Sequence, residues 1–227
     1  MIHTLTSILL RILLKQAPQF QYTAEEVQAF NRMYDAAIEG EVAIEYNCRF
    51  PKYRFIQYIS ETRNVLLHGS NHKQIEVFEP RQQTLYDGQL TEAVFATKDG
   101  IWPVFYAILN KSKVINNFRN GSIRHVKSNR NYHFYSIDQA SDYQDCWLSG
   151  AIYFLPDKTF TGTTGRAISF NEWTSVVAVR PITKLEVDPS DFYYLHHVST
   201  HNYKESMLRT YMSYKLRLLF SKKVPNA

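Results

Sequence analysis

His68, Ser70 and Thr97 stand where two apolar runs end, and each carries a polar group that can meet a ligand. The run Val65-Leu66-Leu67 suits a buried strand and closes in a turn at Gly69. Ala93-Val94-Phe95-Ala96 suits a second buried strand, closed by Asp99-Gly100. Ile101-Trp-Pro-Val-Phe-Tyr106 then reads as a short aromatic helix. On this reading two buried strands deliver polar groups to their carboxyl ends, beside several rings. Such a place suits a flat heterocycle with a polar edge, because rings stack on its faces while backbone groups meet its edge.

The elements that must position these residues are drawn from 227 residues, enough for one sizeable core. Residues 1–62 read as a helical segment. Thr23-Ala-Glu-Glu26 has the spacing of a capping box, and Val27, Phe30, Met33, Tyr34 and Ala37 recur at helical intervals. Pro51 starts a further helix through Phe55 and Ile59. The apolar N-terminal stretch is interrupted by Arg11 and has no basic n-region, so it reads as an amphipathic docking helix. Residues 63–195 form the core. Within them, residues 71–92 read as a surface excursion over the site, and Arg119-Asn-Gly-Ser122 as a hairpin turn. Tyr132 to Ser136, Trp147 to Leu155, Trp173 to Val179 and Thr183 to Val187 read as strands. Residues 196–227 form a basic helical tail, with its helix expected over 202–220.

The charge supports this division. Six cations in the tail, Lys204, Arg209, Lys215, Arg217, Lys222 and Lys223, face one acid, Glu205, so the tail holds the whole net charge of +5. A second basic stretch runs from Lys111 through Arg119, Arg124 and Arg130 without an acid. Either can face phosphates or a nucleic-acid acceptor, and either can be a solvated surface. Cys48 and Cys146 lie far apart without metal-ligand spacing, so no metal is expected. They read as thiols in a reducing cytoplasm, with a single disulfide as the alternative. No apolar run approaches the length of a bilayer span, and no membrane partner is expected.

His68-Gly69-Ser70, then Val94-Phe95-Ala96 with its aromatic helix, then Ser169-Phe-Asn-Glu-Trp-Thr-Ser-Val176, occur in that order over about half the chain. Together they resemble the nicotinamide pocket and glutamate strand of the ADP-ribosyltransferase superfamily, with the poly-ADP-ribose polymerases and the rifampicin-modifying transferases as the nearest parallels. The resemblance implies an α+β fold with a split β-sheet core, NAD as substrate, and transfer of ADP-ribose to a protein or nucleic-acid acceptor. By the same resemblance Glu172 supplies the catalytic carboxylate, and His68 donates a hydrogen bond to a ribose hydroxyl. Gly69 pairs its backbone with the nicotinamide carboxamide, where the missing Cβ lets a ligand approach. Ser70 and Thr97 add hydroxyls, Phe105 stacks on the ring, and Arg81 suits a diphosphate. The loop 159–165 helps to choose the acceptor.

One position departs from the polymerase branch. Val94 stands where that branch has a tyrosine covering nicotinamide, which favours single transfer over polymer synthesis and leaves Trp102, Tyr106 or Tyr86 to supply the surface. An NAD glycohydrolase, a tRNA 2′-phosphotransferase-like enzyme and a non-catalytic NAD, ADP-ribose or nucleic-acid binding module are the alternatives.

Overall fold

The computed structural model describes residues 2–84 and 90–220. Tyr86, Lys222 and Lys223 lie outside the described residues. The chain runs α1 (Ile2–Leu13), β1 (Lys15–Gln16), α2 (Ala24–Glu39), α3 (Lys52–Thr62), β2 (Val65–Ser70), β3 (Arg81–Thr84), β4 (Leu90–Ala96) and α4 (Trp102–Ile108). It continues through β5 (Phe118–His125), β6 (Arg130–Asp138), β7 (Gly150–Pro156), β8 (Thr161–Gly162), β9 (Ile168–Phe170) and β10 (Trp173–Ser175). It ends in β11 (Thr183–Val187), β12 (Ser199–His201) and α5 (Met207–Phe220).

The start of α2 is fixed by the cap its spacing predicts. The Thr23 N–H donates to Glu26 Oε2 at 2.9 Å, and the Glu26 N–H donates to Thr23 Oγ1 at 3.2 Å. Glu26 also holds the Arg54 guanidinium, which ties α2 to α3. Three sheets follow: β11-β7-β2, β3-β4-β10-β8, and β1-β6-β5-β9 with β12 beside β6. Among the described residues every pairing is antiparallel except β12 with β6. The architecture is therefore mixed α/β with several antiparallel sheets.

Strand alternation places opposite residues of β2 in different cores. Leu67 packs with Phe30, Phe55, Ile59, Phe105 and Phe154 under the helices. Leu66 packs on the other face with Val94, Ala96, Tyr153 and Leu155. A third cluster joins Leu10 and Leu14 of α1 to Phe134 of β6 and Tyr214 of α5. The divisions expected at 62/63 and 195/196 thus fall inside shared cores, since helices and strands complete one another's packing.

Several expectations are corrected. Gly69 is not a turn, because β2 runs on through Ser70. The segment 119–122 lies inside β5, and the hairpin turns at 126–129, where Asn129 has φ 50°. Gly121 serves cross-strand packing: a Cβ there would lie 2.8 Å from the ring of Phe134, its partner on β6. The excursion 71–92 contains β3, which begins at Arg81 and pairs with β4. It also contains Phe78, which is bridged to Val179 and buried. The strand expected over 173–179 shortens to β10 plus that bridge. Helix α5 starts at Met207, because Arg119 gathers the carbonyls of Tyr203, Glu205 and Ser206 and the Thr210 hydroxyl into a bend. No helix among the described residues is long and apolar enough to cross a membrane.

Candidate active site

The site is built where β4 parts from β2. Leu67 exchanges both backbone bonds with Thr97, at 2.8 and 3.0 Å. The pairing is antiparallel, so the two strands do not present their carboxyl ends together, as the sequence reading had it. N–H and C=O groups two residues apart leave a strand by the same edge. Gly69 therefore points its backbone groups toward β4, while β7 occupies the opposite edge of β2. A continued ladder would give Gly69 the Phe95 carbonyl. That carbonyl is instead met by His68 Nδ1 at 2.6 Å. The Gly69 N–H and C=O consequently face the gap where the strands diverge.

The same bond sets the histidine's chemistry. A carbonyl only accepts, so Nδ1 carries the proton and Nε2 of the neutral ring is an acceptor. Burial pulls the imidazole below its usual range despite the Phe95 carbonyl, and the Lys111 and Arg81 charges act in the same direction. The missing Cβ of Gly69 has a different reason from the one expected. An added Cβ would lie 1.8 Å from the Pro103 carbonyl oxygen, so the glycine admits α4, not a ligand.

Helix α4 supplies the rings. Phe105, the expected stacking residue, is 0 % exposed and packs against Tyr135, Phe118, Trp147 and Phe192. Its place at the cleft is taken by half-buried Tyr106, with Trp102 one turn earlier on the same face and 6.0 Å away between centroids. Asn120 joins them: its Oδ1 accepts from Trp102 Nε1 at 2.6 Å, and its presence draws the Tyr106 phenol down. Lys111 Nζ lies 5.7 Å from the Tyr106 ring centre. Val94 is buried in the second core, so alternation along β4 gives the opposite face to Phe95. Val94 thus faces away from the α4 rings, and the His68 ring shares its face, packed 4.6 Å between centroids from Phe78 of the second core.

Glu172 occupies the seam between β9 and β10. The Asn171 N–H donates to the Ser122 carbonyl of β5, and two residues later Trp173 pairs with Ala96 of β4. The chain changes sheets at Asn171-Glu172. Extending that register by one residue sets Glu172 opposite Thr97, which is itself opposite Leu67. Thr97 thus lies between the segment that carries His68 and the one that carries Glu172. Trp173 packs on the second core, so Glu172 and Thr174 project from the other face. Burial and then the Glu172 carboxylate push the Tyr106 phenol up to about 12, with Asn120 opposing them. Lys111 thus sits over the Tyr106 ring, and the Glu172 charge reaches the Tyr106 phenol.

The group that holds this arrangement, Asp99, is not marked by any motif in the sequence. Asp99 is buried, and its Oδ1 caps the N–H groups of Ile101 and Trp102 at the start of α4, each at 2.9 Å. Its Oδ2 receives Ser122 Oγ at 2.6 Å, His133 Nε2 at 2.7 Å, Asn131 Nδ2 at 3.1 Å and Asn171 Nδ2 at 3.5 Å. Burial alone would raise its pKa, but the His133 charge and these donors outweigh it and hold the carboxylate well below its ordinary range. Asp99 so links the aromatic helix to the residue before Glu172.

The remaining candidates are more peripheral. The Thr97 hydroxyl accepts the Asp99 N–H within a buried turn, and Ser70 Oγ accepts the His72 N–H. Arg81 is exposed, and its charge reaches His68. Of the basic residues, Arg119 clamps the bend before α5, Arg124 bonds Ser169 Oγ, and Arg217 is bound by both oxygens of Glu205. Thr163 N donates to the Glu172 carbonyl, so the loop 159–165 abuts the candidate glutamate. Two shallow concavities, of about 410 and 510 Å³, lie elsewhere, along Val42-Ala43 with Ile75 and Lys184 and against α2. Comparison with protein-family models, curated proteins and solved structures finds no match to this chain.

Proposed function

We propose that the chain is an NAD-dependent mono-ADP-ribosyltransferase on an ADP-ribosyltransferase-like split sheet. One observation supports the reading: the Gly69 backbone opens where β4 leaves β2, beside the rings of α4 and on the side from which the Glu172 charge reaches Tyr106, although the His68 ring turns to the opposite face against Phe78. The Gly69 N–H and C=O match the two halves of a carboxamide, which accepts at oxygen and donates at nitrogen. Tyr106 and Trp102 offer ring surface beside that edge. Lys111 and Arg81 supply positive charge for a diphosphate.

Cleavage of the nicotinamide–ribose bond builds positive charge at the anomeric carbon, as in glycoside hydrolysis. Glu172 is the anion that stabilises that charge. The bond's electron pair leaves with nicotinamide, and an acceptor nucleophile then bonds to the anomeric carbon. Incubation of the chain and a cell lysate with NAD labelled in its adenylate should produce labelled macromolecule, and Glu172→Gln should abolish it. Equal labelling by the variant would end the proposal. Free ADP-ribose without labelled macromolecule would assign the site to NAD hydrolysis. Calorimetric binding of NAD without turnover would assign it to a binding module.

A further inference from the structure

Helix α1 is turned inside out relative to an ordinary surface helix. Its inward side presents His3, Thr6 and Ser7 beside Leu10 and Leu13, whereas Ile2, Leu5, Ile8, Leu9 and Ile12 are 50–64 % exposed. Amphipathic helices of soluble proteins bury the aliphatic stripe and expose the polar one. Helix α5 packs against α1 through Tyr214 and Tyr211 and leaves Leu208, Met212, Leu216 and Leu219 57–78 % exposed. Two neighbouring helices thus turn aliphatic stripes outward, and scattered single exposed residues do not account for that.

The charge around these stripes is mainly positive, since Glu205, just before α5, is turned inward onto Arg217. No acidic residue occurs in residues 1–24 or 206–227. Lys215 Nζ donates to the Arg11 carbonyl, bringing Arg11, Lys15 and Lys215 together where the two helices meet. Arg209 is exposed near the start of α5. A second copy of the chain seated on this face would bring these cations against themselves across a two-fold axis, which disfavours self-association. Nucleic acid satisfies the charge but offers nothing apolar to the aliphatic stripes. An anionic bilayer satisfies both, because aliphatic side chains enter the headgroup boundary while cations meet the lipid phosphates.

We infer that the outward faces of α1 and α5 are a peripheral docking surface for anionic lipid bilayers. The surface lies on the membrane and needs no span. It is independent of the chemistry proposed for Glu172, which uses neither helix.

The full chain is mixed with vesicles of phosphatidylcholine and phosphatidylglycerol, or of phosphatidylcholine alone, and bound protein is measured by flotation. The expected result is binding to the mixed vesicles that weakens with salt, with little binding to the neutral ones. Leu5→Asp with Leu9→Asp should lower affinity about tenfold or more, and Lys15→Gln about fivefold. These side chains are exposed or half-exposed, so unchanged urea midpoints should show that the variants fold. The independent variant Met212→Asp tests α5 in the same way. Absence of binding to the mixed vesicles would overturn the inference, as would full binding by the folded double variant. A wild-type dimer that the double substitution splits, with no vesicle binding, would assign the face to a second copy instead.

Discussion

Gly69→Ala tests how tightly the aromatic helix is seated, independently of any ligand. The added Cβ would lie 1.8 Å from Pro103 O, 2.8 Å from Pro103 C and 3.0 Å from Ala107 N. The first contact falls short of an ordinary carbon–oxygen approach by about 1.5 Å. Backbone stands on both sides, so no side-chain rotation relieves it. Helix α4 cannot readily retreat. Asp99 fixes its beginning, and its end receives Asn71 Nδ2 at the Ala107 carbonyl (2.6 Å) and Leu148 N at the Ile108 carbonyl (2.9 Å). The cost should therefore reach the upper end of overpacking, about 3 kcal/mol. In a chain of this size that lowers the melting temperature by about 6–12 °C. Urea unfolding followed by tryptophan fluorescence should show a lower midpoint with an unchanged slope. Gly150→Ala, whose Cβ would lie 1.9 Å from the Ala107 carbonyl oxygen, should behave alike. Gly40→Ala, with nothing nearer than 3.2 Å, should stay within about 1 kcal/mol of wild type. A Gly69→Ala protein unfolding at the wild-type midpoint would refute the argument.

Asp99→Asn leaves His133 without its buried carboxylate and should destabilise the fold by about 3–5 kcal/mol, measured by the same unfolding curves. Because the folded pKa of Asp99 is depressed, its stabilisation is present above the ordinary carboxylate pKa, about 4, and is lost as pH falls below it. His201 is buried between Ser136 Oγ and Asn117 Oδ1, and burial, aided by the Arg119 and Arg217 charges and opposed by Asp138 and Glu205, brings it down to about 4. The unfolded chain binds its proton first, so about 2–3 kcal/mol of stability should disappear between pH 6.5 and 4, and His201→Gln should flatten that slope. Phe105→Ala should cost about 3–5 kcal/mol through its cavity, whereas Tyr106→Ala should cost less and preferentially weaken NAD binding in calorimetry. Equal NAD affinities for wild type and Tyr106→Ala would remove that ring from the site.

Legibility from sequence follows the range of the interaction involved. The capping box of α2 was readable because Thr23 and Glu26 satisfy one another within a single turn. Strand β7 was readable because Ala151-Ile-Tyr-Phe-Leu155 is a continuous apolar run with few alternatives to a buried strand, although it starts at Gly150 and not at the expected Trp147. The ring facing the cleft was not. Residues 105 and 106 differ by about 100° around a helix, and only the packing of Tyr135, Phe118 and Phe192 decides which is enclosed. Gly121 looked like a turn residue because the reason for it, the Phe134 ring, belongs to another strand. Asp99 looked like punctuation because its partners Ser122, Asn131, His133 and Asn171 become its neighbours only when three segments assemble. The one-residue order His68-Gly69-Ser70 was visible, but the direction of the histidine's proton depended on the Phe95 carbonyl across the gap.

The rung between Leu67 and Thr97 is an isolated backbone bridge joining two sheets, with His68 to Phe95 as a side-chain stitch beside it. A molecule whose amide met Gly69 while its remaining surface touched β4 would behave as a further rung. Occupancy would then register as mechanical reinforcement across the seam, and amides flanking Thr97 should exchange with deuterium more slowly when the ligand is bound.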